Sequence, residues 1–65
     1  MSNHTINEHD SVSNKNAVKN IPPYTNGVVV HIYPHNHLVV AVEFFDNENN
    51  TLGVETTQVL NLEKR

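Results

Sequence analysis

The chain has no cysteine and no tryptophan, only two glycines, one methionine and four Lys or Arg in 65 residues. Each shortage removes a class of explanation. Without cysteine there is neither a disulfide framework nor a thiolate metal site. With only Gly27 and Gly53 there is no glycine-rich loop to cradle a phosphate. No apolar run approaches the roughly 20 residues of a membrane-spanning helix. The opening MSNHTINEHD lacks the basic and apolar regions of a signal peptide. We therefore expect a cytoplasmic protein with no membrane association. At this length it holds one domain, and a domain so small buries only about 60% of its unfolded surface. Disulfides, a metal or a partner chain usually compensate, and the first is excluded here.

What is present reads as β-structure. The first 20 residues hold five of the eleven asparagines and no aromatic residue. Such a segment buries too little to offset its ordering entropy, so residues 1–8 are expected to form a disordered tail and residues 9–65 the domain. Pro22-Pro23 sets a loop and Asn26-Gly27 a turn. Gly27–Tyr33 and Leu38–Phe45 then follow as β-branched, strand-like runs, with the polar turn Asp46–Asn50 after them. Thr51–Glu55 and Val59–Glu63 read as shorter strands around a tight turn at Thr56–Gln58, and Val12 marks a weak first strand.

Period-2 alternation places Val28, Val30 and Ile32 on one face of the first long run, and Val40, Val42 and Phe44 on one face of the second. Pairing the apolar sets joins Val30 to Val42 and Ile32 to Val40, leaving a three-residue loop at His35–His37. A slip of one residue would bury Glu43, so the pattern resists it. The expected core is Val12, Ile21, Val28, Val30, Ile32, Val40, Val42, Phe44, Leu52, Val54, Leu60 and Leu62. About five short antiparallel strands with this much polar turn predict an all-β fold. A small SH3-like barrel, closed or half-closed, would protect its edges.

The stretches IPPYTNGVVVHIYP, VAVEF and TLGVETTQVLNL carry a family resemblance. The first resembles the loop, turn glycine and strand of SH3-like and KOW-like small barrels. Together they look most like the bacterial family known as domain of unknown function 4926, at Gly27, Val42, Glu43, Phe44, Thr51 and Leu52. The resemblance covers roughly residues 10–62 and implies an SH3-like barrel. The family usually has more glycine in the loop where Pro23-Tyr24 stands here. It supplies no catalytic residue to transfer.

Chemistry-bearing side chains are few. His31, His35 and His37 fall within seven positions, and imidazole is the commonest ligand for transition metals. His31 lies about four strand positions from the loop tip, over roughly 10 Å, so a three-histidine site would need a bent hairpin. Solvated polar residues are the plainer reading, and neither metal nor cofactor is expected. A His31–Glu43 contact across the outer face is a further expectation. Only Ser2, Ser11 and Ser13 offer hydroxyls of the serine type, none in an elbow motif, and so small a domain lacks room for a water-excluding pocket. The chain does not read as an enzyme. No Lys or Arg stands between Asn20 and Glu63, against Glu43, Asp46, Glu48 and Glu55 in the same stretch. A phosphate backbone needs a basic patch, so nucleic acid is a poor partner.

Apolar surplus is the remaining signal. Once the core is filled, Val29, Tyr33, Val39, Ala41 and Phe45 are left on the opposite face of the long hairpin, bordered by His31 and Glu43. Such patches mark protein contacts. The sequence therefore predicts a non-enzymatic interaction module, an accessory, inhibitor or immunity-type protein. It would bind a larger protein, or a second copy of itself, through that face. The alternative is an RNA- or ribosome-associated KOW-like domain.

Overall fold

The computed structural model describes residues 5–65. Each strand follows from a β-branched or alternating run: β1 (Ser11–Asn14), β2 (Asn26–Ile32), β3 (Val39–Phe45), β4 (Thr51–Gln58) and β5 (Leu62–Lys64). A 3-10 turn, Val59–Asn61, links β4 to β5. All neighbouring strands are antiparallel and lie in one sheet of order β4-β3-β2-β1-β5. The fold is all-β, and its hydrogen-bonded ladder is open: β4 and β5 are its two edges. Of the expected tail, residues 1–4 lie outside the described residues, and Ile6 packs half-buried against the core.

Val12, Val18, Ile21, Val29, Val40, Val42, Phe44 and Leu62 form the buried core. Six of these were legible from alternation, and the departures have one main cause. β2 carries a bulge between Val29 and His31. Upstream of it Val29 pairs with Val42 and faces inward; downstream Ile32 pairs with Val40, as expected. An extra residue reverses which side the strand presents. Val30 is therefore exposed, and Val28 half-buried, where the core was expected to take both.

A second bulge opposes Phe44 and Phe45 to Gly53 and Thr51, leaving Leu52 unpaired and exposed. Gly53 sits at φ +154°, which side chains rarely adopt. Val54 pairs with Glu43 on the outer face, and Leu60 falls in the 3-10 turn; both are exposed rather than core. The expected tight turn at Thr56–Gln58 is absent because β4 runs straight through it. Six residues, 33–38, separate β2 from β3 in place of a three-residue loop.

The long β1–β2 connection is held by one fully buried polar side chain. Asn14 Nδ2 donates to the carbonyls of Asn16 (3.0 Å) and Pro22 (2.9 Å), while its Oδ1 accepts the Thr25 N–H at 2.8 Å. A buried amide is tolerated when its hydrogen-bonding capacity is met. Its own carbonyl takes the Tyr24 N–H at 2.7 Å, which fixes Tyr24 at φ +63°. Gly27 is required by packing: a Cβ there would stand 2.6 Å from Val42 Cγ1.

Candidate functional site

The outer face of β2, β3 and β4 is built by the residues whose pleat points away from the core. Pair by pair it carries Val28 with Glu43 and Val54, His31 with Ala41 and Thr56, and Phe45 with Thr51. Tyr33, just past β2, reaches over β3 and its phenol lies 3.2 Å from Thr56 Oγ1. His31 meets the Tyr33 ring edge-on, with centroids 4.7 Å apart. Glu43 accepts the Thr51 Oγ1–H at 2.8 Å, so the expected His31–Glu43 contact gives way to two others, each within reach along the same face.

Of the seven residues predicted for contact, His31 is exposed, and Tyr33, Val39, Glu43 and Phe45 are half-buried on this face. Two are not available. Val29 is fully buried, because the bulge turns it into the core. Ala41 is buried as well, its methyl too short to reach past its neighbours His31 and Thr56. In their place the structure adds Val30, at the bulge, and Val54, 55% exposed on β4. Gly53 inside a strand-like run was the signal for the second irregularity, since an interior glycine often marks a bulge.

Beside Phe45 the face hollows. A depression of about 400 Å³ is lined by Val28 and Phe45 with Asn26, Asn49, Ser11 and Arg65. At the far end of β3 and β4 a groove of about 450 Å³ lies among His37, Leu38, Val39, Gln58, Val59 and Leu60. Leu38 and Leu60 are 73% and 78% exposed there, held by the Val59 N–H to Leu38 carbonyl bond of 2.9 Å.

Charge is distributed sparsely. Lys19 pairs with Glu55 at 3.3 Å and Lys64 with Asp10 at 3.5 Å, so two of the four cations are already engaged. No group of three metal-ligating side chains converges among the described residues. In the β3–β4 turn, Asp46 accepts the backbone N–H groups of Asn50 (2.9 Å) and Glu48 (2.8 Å). The Asn50 bond first, and then the Glu48 bond, hold its carboxyl below the ordinary aspartate value.

No family model, no curated protein and no solved structure matches the chain. Among the described residues, no helix is long and apolar enough to cross a membrane.

Proposed function

We propose that the chain is a non-enzymatic, cytoplasmic protein-interaction module that docks on a larger protein through the outer face of β2, β3 and β4. On this reading the open sheet curls into an SH3-like half-barrel. The outer face is its contact surface, in an accessory, inhibitory or immunity-type role. The observation that carries it is the apolar content of a face turned away from the core. Val30 and Val54 are exposed there, and Tyr33, Val39 and Phe45 are half-buried. Aromatic side chains of this kind, partly covered yet reachable, dominate contact energetics. The surrounding carboxylates Glu43, Asp46 and Glu48 favour a basic surface on the partner.

The nucleic-acid alternative draws no support from charge, because Lys19 and Lys64 are tied to carboxylates and the sheet itself carries few cations. The test is Tyr33→Ala combined with Phe45→Ala, assayed by capture of the stoichiometric partner beside a thermal melt. The expected outcome is a folded protein with binding lost. A cooperative fold that still captures its partner at wild-type level would overturn the reading, as would capture of nuclease-sensitive RNA alone.

A further inference from the structure

The exposed apolar side chains are not spread evenly over this molecule. Six large ones are exposed among the described residues: Tyr24, Val30, Leu38, Leu52, Val54 and Leu60. Four of them, Leu38, Leu52, Val54 and Leu60, lie on β4 or at its ends. β4 is also a sheet edge, and its outer backbone has no strand partner among the described residues. It is eight residues long, the longest strand in the fold, and contains neither proline nor lysine. Natural edges are normally shortened, charged or broken by proline to prevent pairing. Here the single charge on the strand, Glu55, is matched by Lys19 from the β1–β2 connection.

The strand is also compatible with its own copy. In an antiparallel, two-fold pairing each residue keeps its face, so even-numbered positions must meet even-numbered ones. Centring the pair on Glu55 would oppose two carboxylates, which is destabilising. Centring it on Thr56 avoids this: Glu55 faces Thr57 of the second copy, and Val54 faces Gln58. It uses only Val54–Gln58, clear of the bulge at Leu52. Beyond that ladder, it sets the Leu52 end of one copy's β4 beside the Leu60 end of the other's, twice. The apolar start of β4, where Leu52 and Tyr24 border one hollow, thus meets the Leu38–Leu60 groove at its end.

We propose that two copies of this chain join edge to edge through β4, about a two-fold axis at Thr56, forming one continuous ten-stranded sheet. The exposed apolar ends of β4 close on each other, and a chain without disulfides gains the partner that small domains often need. The pairing deepens the reading of the chain as an interaction module and rests on it.

Sedimentation equilibrium of the full chain, taken up to about 1 mM, tests the association, since weaker binding than that is negligible. The expected result is a reversible monomer–dimer equilibrium. Thr56→Lys places two ammonium groups on the axis and should weaken it by at least about tenfold, with the melt unchanged at concentrations too low for either chain to dimerise. Register is tested by cysteine, which the chain otherwise lacks. Thr56→Cys under mild oxidation should give a covalent dimer in high yield, and Ser11→Cys, on β1, should not. A strictly monomeric wild type, or equal cross-linking at both positions, would overturn the proposal. A monomeric wild type that still captures a larger protein through Tyr33 and Phe45 would refute the dimer alone and leave the contact face standing.

Discussion

The two edges of the sheet are managed in opposite ways. β5 is three residues long, and its pleat buries Leu62 while exposing Glu63 and Lys64. It is tied down from several directions: Lys64 reaches Asp10, the Arg65 N–H meets the Ser11 carbonyl at 2.8 Å, and the Asn61 side chain bonds Asn16. β4 is eight residues long and exposes Leu52 and Val54. Thr51 and Thr56 bond back to Glu43 and Tyr33, and Glu55 and Thr57 meet Lys19 and Asn61, all of which leaves its outer backbone without a strand partner among the described residues. A short, charged, braced edge rejects another strand, while a long, nearly neutral one accepts it. The difference teaches where this small protein keeps its fold and where it keeps its contacts.

If that division is right, side chains of equal chemistry should differ sharply between the edges. Leu62→Ala removes a buried side chain from the β5 side and should cost about 3 kcal/mol. In a domain of this size that shifts the melting temperature by well over 10 °C, on the order of 4–8 °C per kcal/mol. Equal tolerance at both edges would break the comparison.

A smaller effect is expected at the turn that launches β4. Asp46→Ala removes the acceptor for two backbone N–H groups and should lower the melting temperature at neutral pH. Because folding depresses the Asp46 pKa, its contribution is full above the unfolded value and is lost as pH falls through the folded one. The gap between wild type and variant should therefore close progressively below about pH 4. Melts across that range measure it, and a gap independent of pH would remove Asp46 from the account.

The smallest effect belongs to the exposed edge. Val54→Ala should change stability by no more than about 0.5 kcal/mol, read by denaturant midpoint, since nothing in the core leans on it. A large loss would mean that β4 is part of the core after all.

Alternation made most of this fold legible. Val12, Ile21, Val40, Val42, Phe44 and Leu62 follow from period-2 patterning and bounding turns, as does the Ile32–Val40 pair. What alternation does not carry is an interruption of itself. Three valines in a row, Val28–Val30, look alike on either face, so the bulge after Val29 left no mark in residue type. Gly53 did leave one. The same bulges decided the site: they took Val29 into the core and put Val30 and Leu52 outside. Asn14 was illegible for another reason. Its burial depends on Pro22 and Thr25 closing around it from the far end of a loop, and no local pattern records that.

Amide hydrogen exchange, run on the full chain at low and high protein concentration, tests the central claim that β4 is the contact edge. Edge amides without a partner open and exchange readily, and paired ones do not. The account predicts that the amides of Val54–Gln58 that point away from β3 gain protection as concentration rises, while those of β5 exchange at one rate throughout. Protection on β4 that ignores concentration, or gains confined to β5, would contradict it.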